Sequence, residues 1–211
     1  MQRWNKIYSE SDDVNGVQMD IRDGHGQTIE KILKWVKADD EPIAGKTVCD
    51  LGCGVGSLAI PLASMGAKLI GSDISKAMVE EAERRAIQCG VGDTCEFSTS
   101  DLESVSGKYD TVCCVDVAIH YPTEQFRGMI GHLCSLTDDR LIFSFAPKTW
   151  FYVALKKFGE LFPGPSKTTR AYLHEESVVE EELAKQGFEI KRREFTGTNF
   201  YFSTLYEAIK K

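Results

Sequence analysis

Gly52, Gly54 and Gly56 stand at alternate positions in Val48-Cys49-Asp50-Leu51-Gly52-Cys53-Gly54-Val55-Gly56. Without side chains there, the backbone can turn tightly and come close to a ligand at the end of a strand. Dinucleotide-binding enzymes share glycine alternation, so the neighbouring acids have to separate the possibilities. Asp50 precedes the glycines, where an anion repels a pyrophosphate but can orient water or the amine of a cationic amino-acid cofactor. Asp73 lies 17 residues after Gly56. It is placed to accept hydrogen bonds from both ribose hydroxyls, or else to serve as an acid at the start of the helix that follows. With Asp101 after a third apolar run, the set favours S-adenosylmethionine as the ligand.

Phe97-Ser98-Thr99-Ser100-Asp101-Leu102 resembles the segment of class I methyltransferases in which an acid accepts the adenine amino group. Asp50 with its glycines, Asp73, Asp101 and the stretch Tyr109–Tyr121 resemble that superfamily in their order. The resemblance implies cofactor contacts from Asp50, Gly52, Gly54, Gly56, Asp73, Ile74, Asp101, Leu102 and Asp116. Asp116-Val117-Ala118-Ile119-His120-Tyr121-Pro122 places His120 and Tyr121 at the carboxyl end of a fourth strand, beside the expected methyl group. His120 is either a functional group there or a capping or packed histidine.

These residues need a scaffold, and the hydrophobic pattern describes one. Thr47–Leu51, Lys68–Ser72, Cys95–Thr99, Tyr109–Val115 and Arg140–Ala146 read as strands, alternating with helices at Leu58–Met65, Ser75–Cys89 and Thr123–Leu136. Ser75 is the expected N-cap of the second. Asp101 to Lys108 leaves little room for a helix between the third and fourth strands. Phe188–Phe195 and Phe200–Ile209 read as a hairpin joined by Thr196-Gly197-Thr198-Asn199. The expected fold is α/β and Rossmann-like: a seven-stranded, mostly parallel sheet with an antiparallel C-terminal hairpin. Asp12 to Lys37 reads as two helical pieces broken at Gly24 and Gly26, where the backbone approaches a ligand or simply kinks. The chain divides into an N-terminal helical arm (1–44), a cofactor-binding core (45–146), an inserted lid arm (147–172) and a C-terminal helix and hairpin (173–211).

The 211 residues carry a formal net charge of −7. That disfavours the basic surface a phosphate backbone requires, and the Asn/Asp-Pro-Pro-aromatic signature of nucleic-acid amino methyltransferases is absent, so no nucleic-acid partner is expected. Seven cysteines, an odd number, lie largely in apolar runs, as free thiols packed like small hydrophobes do in a reducing compartment. Cys49 and Cys53 lack a second Cys/His pair at zinc-site spacing, so no metal site is expected. No apolar run is long enough to span a bilayer, and Met1-Gln2-Arg3-Trp4 opens no signal-peptide pattern. An amphipathic segment already under way at Trp4 is the pattern expected if a native extension or transit segment precedes Met1.

Three further segments narrow the resemblance: Arg3-Trp4-Asn5-Lys6-Ile7-Tyr8, Ile119-His120-Tyr121-Pro122, and Ser144-Phe145-Ala146-Pro147-Lys148-Thr149 running on to Leu161-Phe162-Pro163-Gly164-Pro165-Ser166-Lys167-Thr168-Thr169-Arg170-Ala171-Tyr172. They resemble the magnesium-protoporphyrin IX methyltransferases of chlorophyll biosynthesis over nearly the whole chain. The resemblance implies methyl transfer from S-adenosylmethionine to a propionate carboxylate of magnesium protoporphyrin IX, giving the 13-monomethyl ester and S-adenosylhomocysteine. It carries catalytic importance onto Tyr8 and His120. Trp150 and Phe162, with Trp4, Ile7, Phe151 and Phe158, would wall an apolar cleft for a flat macrocycle or simply pack the arms onto the sheet. Lys167 and Arg170 would grip the second propionate or stay solvent-exposed.

The resemblance also implies a location in the chloroplast, stromal with thylakoid or envelope association, or in a cyanobacterial cytoplasm. Magnesium chelatase is the partner it brings in, together with peripheral membrane association. Two other readings stay open: a methyltransferase of another small carboxylate, hydroxyl or amine acceptor, and a non-catalytic S-adenosylmethionine- or tetrapyrrole-binding protein.

Overall fold

The computed structural model describes residues 16–148 and 172–211. Helix α1 (Gly16–Ala38) is followed by β1 (Thr47–Leu51), α2 (Ala59–Ser64), β2 (Lys68–Asp73), α3 (Lys76–Gln88), β3 (Cys95–Thr99), β4 (Tyr109–Cys114), α4 (Thr123–Ser135) and β5 (Thr137–Phe145). Further along the chain come α5 (Glu176–Lys185), β6 (Phe188–Gly197) and β7 (Phe202–Lys210). The strands form a seven-stranded sheet in the order β3-β2-β1-β4-β5-β7-β6. The first five run parallel, and β7 lies antiparallel between β5 and β6.

Residues of opposite parity in the central strands feed two separate cores. Cys49, Leu51, Val112, Cys114, Leu141, Phe143 and Phe145 join Phe126, Ile130 and Leu133 of α4 and Val179 and Leu183 of α5. Val48, Cys113, Val115 and Ile142 join Ile32, Trp35 and Val36 of α1 and Leu58, Ala59 and Leu62 beside or within α2. This is the period-two pattern of strands covered on both faces. All seven cysteines are free thiols, and Cys49, Cys53, Cys113, Cys114 and Cys134 are buried.

At the amino ends of these strands an ion-pair network ties α1 to the antiparallel half of the sheet. Fully buried Glu207 forms ion pairs with both cations, its Oε1 lying 2.7 Å from Arg140 Nε and its Oε2 3.2 Å from Arg192 Nε. Asp39, just after α1, pairs with Arg140 Nη1 at 2.8 Å and accepts a hydrogen bond from Arg192 Nη2 at 2.5 Å. Burial alone would raise the Asp39 pKa, but the two guanidiniums outweigh it and hold the carboxyl below its ordinary value.

The expected strands form with ends displaced by a few residues at most, and β5 starts earlier, at Thr137. Between β3 and β4 there is only a 3₁₀ turn, Leu102–Ser104. Ser75 occupies the N-cap of α3 but makes no side-chain capping bond. The expected break in α1 does not form, because α1 runs unbroken through both glycines. Gly24 instead leaves room for the Tyr201 ring, into which a side chain at residue 24 would run, while nothing among the described residues lies within 4 Å of a Cβ built on Gly26.

Candidate active site

The chemistry-bearing residues collect at the carboxyl ends of β1, β2 and β4. Gly52, Gly54 and Gly56 all have left-handed backbones, with φ of 73°, 52° and 81°. At Gly52 a side chain would also run into Val117 Cγ2, so conformation and space both call for glycine. Gly52 N and Cys53 N donate to Ser72 O at 2.8 and 2.9 Å, pinning the loop to the end of β2.

Asp73 secures the same loop from its side chain. Its Oδ2 accepts from Gly54 N at 2.9 Å, and Oδ1 accepts from Ser75 N at 2.8 Å. The alternative of an acid at a helix start is therefore partly realised, and the remaining lone pairs leave capacity for ribose hydroxyls. Ile74 beside it is 79% exposed, an apolar surface at a strand's carboxyl end. Asp101 caps the following 3₁₀ turn, accepting from Ser104 N at 2.8 Å. Leu102 has its side chain in the core, so it can offer a ligand only its backbone.

Asp50 is buried behind the loop. Its pKa is pushed up to about 7 by burial, with Asp73 raising it further while His25 and the Ala59 N–H work against the rise. A cation entering this pocket would favour the ionised form.

Asp116, after β4, is the only non-glycine among the described residues with positive φ, at 61°. Its Oδ2 accepts from His25 Nδ1 at 2.6 Å, and the Tyr201 hydroxyl reaches Oδ1 and Oδ2 at 2.8 and 2.9 Å. Ser144 Oγ donates to Oδ1 at 3.1 Å while accepting the Asp116 N–H at 2.9 Å.

His120 ends a 3₁₀ turn, Ala118–His120, and is exposed. Behind that turn sits His174, 1% exposed. Its Nε2 donates to Ala118 O at 3.0 Å, and its ring stacks on Phe126 with centroids 3.6 Å apart. Burial lowers the His174 pKa, and because a carbonyl can only accept, the bond places a proton on Nε2. The turn is also held by Tyr172 N donating to Ile119 O at 2.8 Å.

The fold thus gathers Asp50, Gly52, Gly54, Gly56, Asp73, Ile74, Asp101, Leu102, Asp116 and His120 around the carboxyl edge of the parallel strands. Tyr8, Trp150, Phe162, Lys167 and Arg170 lie outside the described residues. His25, Thr28, Ser144, His174 and Tyr201 were not anticipated. The signals available for them were a histidine between the two glycines of α1 and a tyrosine just after the hairpin turn.

Residues 114–210 match the family model for the magnesium-protoporphyrin IX methyltransferase C-terminus, and residues 48–139 match a methyltransferase domain. The chain is 56% identical over 209 residues to the chloroplastic magnesium protoporphyrin IX methyltransferase of Arabidopsis thaliana, covering 99% of this chain and 67% of that protein. It is 53% identical to the magnesium-protoporphyrin O-methyltransferase of Synechocystis sp., covering 99% of this chain and 90% of that protein. The crystal structure of magnesium protoporphyrin IX methyltransferase from Synechocystis PCC 6803 with bound SAH superposes with a TM-score of 0.87 at 51% identity, over 100% of this chain and 94% of that one. Likeness of this extent and identity reaches well beyond the shared α/β sheet, and the chain belongs to the magnesium-protoporphyrin IX methyltransferase family.

Proposed function

We propose that this chain methylates a propionate carboxylate of magnesium protoporphyrin IX with S-adenosylmethionine, forming the 13-monomethyl ester and S-adenosylhomocysteine. The observation that carries this reading is identity above one half, across nearly the whole chain, to proteins named for that substrate. The acids gathered at the strand ends fit the donor on independent grounds. S-adenosylmethionine, when bound, supplies a methyl group made electrophilic by a sulfonium, and it also carries an ammonium.

In this reading Asp116 and Asp50 take the ammonium end, directly or through water, Asp73 takes the ribose hydroxyls, and Ile74 covers one adenine face. Asp101 and the Leu102 backbone take the adenine edge. An ionised acid near the ammonium is attracted more strongly in a buried pocket than in water, so donor binding draws a proton off Asp50 when the pH is near 7. A propionate has a pKa of about 4 to 5 and is already ionised at neutral pH. The chain therefore has to align the acceptor oxygen with the methyl carbon more than it has to move a proton. His120 orients that carboxylate from its turn, and Tyr8 closes the N-terminal arm over it. Trp150 and Phe162 of the lid arm (147–172) flank the macrocycle, while Lys167 and Arg170 hold the second propionate away from the methyl group.

The reading places the protein in a chloroplast or a cyanobacterial cytoplasm. It extends to stromal, thylakoid- or envelope-associated protein that receives its substrate from magnesium chelatase at a membrane surface. Supplying methyl-labelled S-adenosylmethionine with magnesium protoporphyrin IX and a panel of other carboxylate, hydroxyl and amine acceptors tests the substrate. Label in the magnesium porphyrin supports the assignment; label in another acceptor with none in the porphyrin removes it.

A further inference from the structure

The Asp116 carboxylate is more fully restrained than any ordinary capping or surface acid requires. It projects from a left-handed backbone, a conformation that aspartate tolerates but that leaves a short side chain little local support. The support comes from afar. His25 is 91 residues away in α1, and Tyr201 is 85 residues away in the hairpin turn. Three donors from three parts of the chain reach the carboxylate: His25 Nδ1 on Oδ2, Ser144 Oγ on Oδ1, and the single Tyr201 hydroxyl proton shared between the two oxygens.

The restraining groups are themselves fixed. The Tyr201 hydroxyl lies 3.0 Å from Oγ1 of fully buried Thr28, and its ring sits in the gap that Gly24 leaves on α1. His25 is half-buried beside Asp116 and near enough to Asp50, the other acid proposed for the ammonium end, to favour its ionised form. Hydrogen bonds to a carboxylate from groups held in this way set its rotation, and leave a defined direction for one more donor.

We propose that His25 and Tyr201 are positioning residues for methyl transfer, fixing the Asp116 carboxylate in the orientation that receives the donor's ammonium group. The inference rests on Asp116 being a donor ligand. It makes the packing of α1 against the C-terminal hairpin a determinant of donor affinity, although neither element carries the glycine loop.

The test uses the whole chain and S-adenosylhomocysteine as the calorimetric probe, with donor KM and kcat measured in parallel. His25→Ala and Tyr201→Phe are each expected to raise the dissociation constant for the probe, and the KM for the donor, by about tenfold. Because the ammonium lies away from the reacting atoms, kcat at saturating donor should change far less. His25→Asn, whose amide nitrogen falls near the position of Nδ1, should restore most of the affinity. Placed in an Asp116→Asn background, His25→Ala should cost little more, because its effect passes through that carboxylate.

If Asp116→Asn weakens probe binding while His25→Ala and Tyr201→Phe leave it unchanged, or weaken it as much with Asp116 absent as present, the positioning role is wrong and the donor reading of Asp116 survives. If Asp116→Asn itself binds the probe normally, that donor reading fails and this inference fails with it. Tyr201→Phe keeps the ring that packs on Gly24, and affinity is read on folded protein alone, so lowered stability does not imitate the expected result.

Discussion

A buried aspartate with a raised pKa works against the fold that contains it. Asp50 titrates near pH 7 in the folded protein and near 4 in an unfolded chain. Between about pH 4 and pH 7 the unfolded chain gives up this proton while the folded one keeps it, so Asp50 erodes stability as pH rises through that window. Above the folded value the cost is constant. Asp50→Asn is therefore expected to raise the melting temperature at pH 8, with a smaller gain at pH 4. The gain should be about 2–4 °C for each kcal/mol recovered, with weaker donor binding as the cost. A melting temperature at pH 8 equal to or below that of the native chain would contradict the pKa assignment. In the proposed function His120 acts on the other substrate. His120→Ala should lower kcat by about 10- to 100-fold through loss of alignment, with the affinity for S-adenosylhomocysteine changed by no more than about twofold. In a protein that only binds its ligands, that variant and Tyr8→Phe would leave function intact.

At the scale of elements, α1 offers a paired test, since its two glycines have opposite surroundings. Gly24→Ala drives a methyl group into the Tyr201 ring. It should destabilise by about 1–3 kcal/mol, even though alanine is the better helix former. Gly26→Ala meets no described neighbour and should stabilise by up to about 1 kcal/mol. Urea unfolding of the two variants checks both signs. The same helix shows where sequence reading stops. The break expected at Gly24 and Gly26 assumed a local cause, whereas the need for Gly24 arises from a ring in the distant hairpin.

Strands β1 and β3 were legible to the residue because their apolar runs end at turn residues. The early start of β5 was hidden by the polar Thr137-Asp138-Asp139, where Asp138 and Asp139 are solvent-exposed while Thr137 is buried. Asp50, Asp73, Asp101 and Asp116 were legible as site candidates because each lies at or just beyond the carboxyl end of a strand-like run, and a parallel sheet brings such ends together. His25, Tyr201 and His174 were not, since their partners lie 91, 85 and 56 residues away, and only the folded sheet order joins them.

Over the described residues, the candidate site lies at the carboxyl ends of the parallel strands and the ion-pair network at the other end of the sheet. Glu207 is fully buried between Arg140 and Arg192. Glu207→Gln removes the buried carboxylate that those guanidiniums share, leaves both to Asp39, and is expected to cost up to about 3–5 kcal/mol, the range for breaking a buried pair. Thermal unfolding reads this directly, and a loss below about 1 kcal/mol would show that the network is no better than a surface pair. With the network intact, α1 and the hairpin stay registered with the parallel strands, and the acids and His120 keep their places along one edge. The direct measurement is of the products. The chain is supplied with S-adenosylmethionine carrying a labelled methyl group and with magnesium protoporphyrin IX, and the porphyrin is then analysed by mass spectrometry. One methyl ester per molecule of S-adenosylhomocysteine formed is predicted; donor bound without turnover, or a porphyrin that stays unlabelled while another acceptor is methylated, would contradict it.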